Sequence, residues 1–259
     1  MGNIMVGAYT TGYLTWHGAV FCTHPRLIYF AGLVGVSSWC SACMACVLLA
    51  FNRCVDFSRA DLSDTMFHGN KTWFWLLLPT GYFFFIFFFE MPVIYDSNYV
   101  TWFYDPFVSG PVHYNFDYSN TTHAINNVAV IFILCAENAF LCHNIFKLSG
   151  HLSSSIKRKR QFIIQTLIIC ALIVLAAAVY VYMNFFYLPP WLTIIGTLAY
   201  AANSGSPAFI YLVLNKNLRR ASFQLFSEKL QKMSHRSTIS SVSNNDQASH
   251  NNTTSKMNY

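Results

Sequence analysis

Long runs without a charged residue organise this chain. Leu27 to Asn52 holds none, and neither does Thr72 to Phe89, after which Glu90 stands before an apolar Met91 to Tyr95. Tyr118 to Ala136 is uncharged, and beyond Glu137 the apolar run continues to Phe146. Gln161 to Asn215 is uncharged throughout. As one helix that last run would be roughly 80 Å long, at 1.5 Å per residue. A bilayer's hydrocarbon core is only about 30 Å thick and takes about 20 apolar residues. Pro189-Pro190 breaks the run, because each ring removes a backbone donor and clashes with the preceding turn. The pattern therefore predicts an all-α, polytopic helical membrane protein. It predicts five transmembrane helices, at about 27–51, 73–95, 124–147, 163–187 and 191–214. The alternating ten-residue segments of a membrane barrel are absent.

The ends of the chain differ from this bundle. Residues 1–26 are uncharged up to Arg26 and carry Gly2, Gly7, Gly12 and Gly18. They read either as an outer N-terminal segment or as the outer stump of an earlier helix. Residues 215–233 include Phe223, Leu225, Phe226 and Leu230 among polar neighbours, the pattern of an amphipathic helix on a membrane surface. From 234 to 259 Ser, Asn and Thr dominate, which predicts a disordered tail.

Lys and Arg near the helix ends predict the orientation. The loop 52–72 carries Arg53, Arg59 and Lys71, whereas the loop 96–123 carries only acids. The loop 148–160 carries Lys157, Arg158, Lys159 and Arg160, and the tail opens with Lys216, Arg219 and Arg220. This alternation puts the N-terminus outside and the C-terminus in the cytosol. Asn120-Thr121-Thr122 then falls in an outer loop as a glycosylation acceptor, while Asn70, Asn251 and Asn252 fall inside.

Composition sharpens the class. Charged residues make up 10% and hydrophobic residues 54%, against about 25% charged in a typical soluble chain. A soluble enzyme or a disordered regulator is excluded, and no basic segment of a cleavable signal peptide precedes the first run. The net charge of +6 carries meaning through its placement, on the side predicted to face cytosolic partners and lipid headgroups rather than nucleic acid.

Candidate chemistry is sparse. Cys40-x-x-Cys43-x-x-Cys46 matches an iron–sulfur spacing superficially. It lies inside an apolar helix, where small residues spaced by three favour helix packing. No metal, cofactor or catalytic motif is predicted. Two acids stand at membrane depth, where charge is costly. Glu90 reads as a carboxylate near an outer helix end. Glu137 reads either as a structural partner of polar groups or as a ligand-binding or switching group. The run Phe83 to Phe89 reads as lipid-facing. Asn52-Arg53 closes the first span, either as an anchor or as a switch.

Further strings carry a resemblance. They are Gly18-Ala19-Val20-Phe21-Cys22-x-x-Pro25-x-x-Ile28-Tyr29, Leu49-x-x-Asn52-Arg53-Cys54-x-Asp56, Trp102-Phe103-x-Asp105-Pro106, His123-x-x-Asn126-Asn127 and Tyr180-Val181-Tyr182-Met183. Near the end come Ser206-Pro207-Ala208-Phe209-Ile210-Tyr211-Leu212 and Asn215-Lys216-x-Leu218-Arg219-Arg220. With these the chain resembles the nematode serpentine chemoreceptors of class T. The resemblance implies a seven-helix, G-protein-coupled type of chemosensory receptor in the plasma membrane or a sensory cilium. Aligned on these strings, the five helices match helices three to seven, so an N-terminally truncated receptor is expected.

The resemblance also implies roles. A small ligand enters between the outer helix halves, with Glu90, Glu137, Asn126, Asn127 and Tyr182 as candidate contacts. A heterotrimeric G protein meets the inner face, with Asn52, Arg53, Pro207, Tyr211, Lys157, Arg158, Lys159 and Arg160 as coupling or switch residues. Ser237, Thr238, Ser240 and Ser241 are candidate phosphorylation sites that end signalling. Asn52 replaces the acid that precedes the family's arginine. Cys22 stands where many such receptors tether their third helix, but the loop 96–123 holds no cysteine partner. The alternatives are a non-signalling membrane protein or partner of full-length receptors, and a channel or transporter using Glu137.

Overall fold

The structure, a computed structural model, describes residues 2–106, 118, 120–148, 154–186, 189–214, 219–225, 227–228 and 231. Within the helices it leaves undescribed the side chains of 145, 147–148, 154–159, 183–185, 190, 207–208, 211 and 214. The described elements run α1 (Gly2–Ile4), a π-helical stretch (Met5–Thr10), α2 (Thr11–Trp16), α3 (Pro25–Ser58), α4 (Ala60–Phe67), α5 (Lys71–Phe89), β1 (Ile94–Asp96), β2 (Thr101–Phe103), α6 (Thr121–Leu148), α7 (Ser154–Phe185) and α8 (Pro190–Leu214). Among the described residues, segments of α3, α5, α6 and α7 are long and apolar enough to cross a membrane. α8 is the fifth long helix, and it opens at Pro190, where the missing N–H of proline costs nothing.

Helix α3 is the axis of the bundle, packing against α5, α6 and α7 and against β1. Its 34 residues span about 51 Å, so it projects beyond a bilayer core. Cys40, Cys43 and Cys46 are all buried on it, as small packing residues should be. Cys46 Sγ meets Cys170 Sγ of α7 at 3.3 Å. α5 is the peripheral helix. Only Pro79 and Ile86 are buried along it, while Phe84, Phe85, Phe88 and Phe89 are exposed and Phe83 and Phe87 half-buried.

Residues 2–16 form a continuous helical segment rather than an irregular tail. Gly2 packs on Ser38 of α3, and Gly7 packs on the Tyr200 ring of α8. Asn3 Nδ2 donates to the Ser38 carbonyl at 3.3 Å, and Tyr200 Oη donates to Asn3 Oδ1 at 2.7 Å.

The expected helix 73–95 ends early. Glu90 is already extended, with ψ 159, and Pro92 disfavours helical geometry at Met91. The chain then forms a hairpin that begins at the end of the expected helix and runs into the expected outer loop. β1 and β2 pair antiparallel, Ile94 with Phe103, Tyr95 with Trp102 and Asp96 with Thr101. Val100 closes the turn at φ 52, unusual for a β-branched residue. Helix α8 holds the turn: Thr193 Oγ1 donates to Tyr99 O at 2.8 Å and Thr197 Oγ1 to Val100 O at 2.9 Å. Leu14, Ala19, Ile28 and Tyr95 form a small core under the hairpin, with Ile94 and Trp102 against it.

Residues Met1–Phe209 make one compact unit and Ile210–Tyr259 a second. In the second, residues 219–225 are helical, with Phe223 and Leu225 exposed, and Arg219 Nη1 donates to Val213 O at 3.2 Å.

Candidate functional site

A cavity of about 90 Å³ lies at the hairpin end of the first unit. Helix α3 gives it Gly35, Val36 and Trp39, and Val6 comes from the N-terminal segment. Val93, Trp102, Phe103 and Tyr104 come from the hairpin and its entry. His123, Tyr180 and Tyr200 come from α6, α7 and α8. Six parts of the chain thus meet in one space.

Aromatic rings make most of the wall. Trp39 packs 5.7 Å from Tyr180 and 5.6 Å from Tyr200, centroid to centroid, and those two tyrosines stand edge to face at 6.1 Å. His123 lies 5.5 Å from Tyr104 and 6.3 Å from Tyr180. Such edge-on contacts are the favoured geometry for rings with a negative face and a positive rim.

A polar chain backs this wall. Trp39 Nε1 donates to Asn127 Oδ1 at 2.9 Å, and Asn126 Nδ2 donates to the same oxygen at 3.2 Å. Tyr82 Oη donates to Asn126 Oδ1 at 3.1 Å, and Asn127 Nδ2 meets His123 Nε2 at 3.4 Å. Asn127 is 0% exposed, so in lipid surroundings this network holds groups that have no water to turn to. The phenol of Tyr104, outside the spans, is held well above its ordinary pKa by burial, with nearby Cys40, Glu90 and Tyr180 adding to the effect. It stays a neutral hydroxyl.

The residues predicted from sequence divide among several places. Asn126 and Asn127 stand behind the cavity as its polar support. Tyr182 does not reach it: it is 49% exposed and stacks on Phe186, 4.6 Å away, on the other side of α7 from Tyr180. Glu90 does not line the cavity but stands near Tyr104, accepting from Asn120 Nδ2 at 2.9 Å. Glu137 lies beside Cys54, whose Sγ donates to its carbonyl at 3.7 Å, and lines a groove with Arg59, Leu62 and Phe140 at the opposite end of the bundle. Its Oε2 is buried and has no partner among the described residues.

The surroundings of Asn120 do not favour the expected glycan. The residue is buried, with Nδ2 on Glu90 and Oδ1 accepting from the His123 backbone N–H at 2.8 Å, so that it caps α6. A glycan requires Nδ2 free and open to solvent. The folded protein is therefore expected to show no mobility shift at Asn120 on glycosidase treatment. A shift abolished by Asn120→Gln would refute this geometry.

At the far end, Asn52 and Arg53 are half-buried. The Arg53 guanidinium lies over the Phe162 ring of α7, 5.3 Å from its centroid. A cation over an aromatic face gains about 0.5–2 kcal/mol, depending on desolvation. Arg160 is exposed. The side chains of Lys157, Arg158, Lys159, Pro207 and Tyr211 lie outside the described set, as do Ser237, Thr238, Ser240 and Ser241 altogether.

Sequence reasoning did not single out Trp39, Tyr104, Tyr180 and Tyr200, which line the cavity. Their signal was positional: Trp39 shares the buried face of α3 with Cys43 and Cys46, and His123 stands one turn before Asn127.

Apolar helices around an aromatic cavity closed by a hairpin define a polytopic helical membrane protein. A family model described as the serpentine type 7TM GPCR chemoreceptor Srt matches residues 1–235. The chain belongs to this family of seven-helix chemoreceptors. It is also similar to Serpentine receptor class T-55 of Caenorhabditis elegans, at 25% identity over 213 residues. That match covers 80% of this chain and 57% of the relative's own length. No solved structure matches.

Proposed function

We propose that this chain is a chemosensory receptor of the G-protein-coupled type. The cavity carries the reading: it is enclosed by rings from α3, α6, α7 and α8 and backed by the Trp39–Asn127–His123 chain. A small molecule there touches four helices at once. It favours whichever packing of those helices fits it better and shifts the population toward it. The hairpin end faces outward in the plasma membrane, as the distribution of Lys and Arg indicates. The cytosolic end, with Arg53 and the basic first turns of α7 up to Arg160, meets the G protein.

In this reading Arg53 over Phe162 ties α3 to α7 at the cytosolic end. It does with an aromatic face what an acid would do with a charge. Arg53→Ala is expected to lower agonist-driven G-protein activation at least severalfold at equal surface amount. Surface amount and orientation can be read together by labelling the exposed Cys22 with an impermeant maleimide on intact cells. Equal signalling at equal labelling would remove the role of Arg53, and no labelling would reverse the orientation.

A further inference from the structure

The cavity also specifies what it binds, on the reading that it is the receptor's ligand site. Its lining includes no carboxylate, ammonium or guanidinium group among the described residues. Its polar groups can be assigned one by one. The indole N–H is only a donor, so the Asn127 atom facing Trp39 Nε1 is oxygen. The other Asn127 atom is then the NH₂, a donor, and it faces His123 Nε2. His123 Nε2 must accept, which places the ring proton on Nδ1. Trp102 Nε1 is spent on Thr11 Oγ1 at 3.0 Å and Tyr200 Oη on Asn3. Beside the Tyr180 hydroxyl, which also belongs to the wall, two polar atoms, His123 Nδ1 and Tyr104 Oη, are buried and have no hydrogen-bond partner among the described residues. Native proteins rarely leave such groups unmet.

We infer that the ligand is a compact, neutral molecule with an acceptor oxygen, such as a small ketone, aldehyde or ester. One carbonyl oxygen has lone pairs for both the Nδ1–H of His123 and the hydroxyl of Tyr104. Its hydrocarbon part fills the space against Trp39, Tyr180 and Val36. An ammonium could donate only to the Tyr104 oxygen, would set donor against donor at His123 Nδ1–H, and would find no anionic group in the lining. A carboxylate would lose its hydration without a cation to meet it. A plain hydrocarbon would leave both donors unmet.

Matched probes on the full chain in detergent test this, with binding read from the thermal midpoint at rising concentration. Cyclopentanone is compared with cyclopentane, cyclopentylamine and cyclopentanecarboxylate, and butanal and ethyl acetate extend the carbonyl set. The expected result is that at least one carbonyl probe binds and its uncharged hydrocarbon and charged counterparts do not. Tyr104→Phe should weaken that binding about tenfold, the loss of one hydrogen bond. Val93→Phe, which fills the cavity, should abolish it, and Val36→Leu serves if that variant does not fold. Should cyclopentane or cyclopentylamine bind as tightly as the ketone, with filling variants abolishing both, the cavity remains the ligand site and the carbonyl inference is overturned. Should no probe bind, or filling variants leave binding intact, the cavity reading itself fails and takes this inference with it.

Discussion

Asn127→Leu is expected to destabilise the bundle by about 2–4 kcal/mol, although it removes almost no volume. Asn127 accepts from Trp39 and Asn126 and donates to His123, so the change strands three polar groups. Each buried unmet group costs about 1–3 kcal/mol in a water-soluble protein. Hydrogen bonds in membrane proteins average nearer 0.6 kcal/mol, because the unfolded chain in lipid also finds partners. The quoted range lies between these limits. The measurement is the thermal midpoint of purified protein. Asn144→Leu on the same helix is the control, since among the described residues its amide bonds only to the Phe140 carbonyl and its loss strands little. Equal midpoints for the two variants would mean that the network does not hold α3 to α6.

Two glycine-to-alanine changes should move stability in opposite directions. A Cβ on Gly32 of α3 would run into the Val93 carbonyl oxygen, a backbone atom that cannot swing aside. The chain after α5 can lie on α3 only because Gly32 has no side chain. Gly32→Ala is expected to cost about 1–3 kcal/mol, the range for overpacking, and to displace Val93 from the cavity wall. At Gly81 in α5 an added Cβ meets nothing within 4 Å. There the change should add about 0.5–1 kcal/mol, the ordinary helix preference of alanine. A neutral Gly32→Ala would show that Val93 does not rest on α3.

The spans were legible because lipid forces a simple rule: an uncharged run of sufficient length becomes a helix, as from Leu27 onward. The break at Pro189-Pro190 followed from covalent structure alone. The hairpin was not legible, since three-residue strands leave no period to detect and Tyr95 meets Trp102 only through the tertiary fold. Helix α5 was drawn too long because the apolar run outlasts it, and Pro92 carried the correct signal. At the site, polarity located Asn126 and Asn127 but could not rank the tyrosines. Tyr180 and Tyr182 stand two positions apart, about 200° round a helix, so one faces the cavity and the other lipid. Glu137, read as lying at membrane depth, lines the groove beside Cys54 rather than the aromatic cavity. It follows His123 by fourteen residues, about 21 Å along α6.

Cys46 and Cys170 lie on the two helices that Arg53 and Phe162 also join, α3 and α7. Their sulfurs, 3.3 Å apart and buried, make a native ruler set into the middle of the bundle. A membrane-permeant oxidant can couple them only while the two helices keep this spacing. The rate of that coupling therefore reports helix separation without any introduced label, and a bound ligand that parts α3 from α7 announces itself as slower cross-linking.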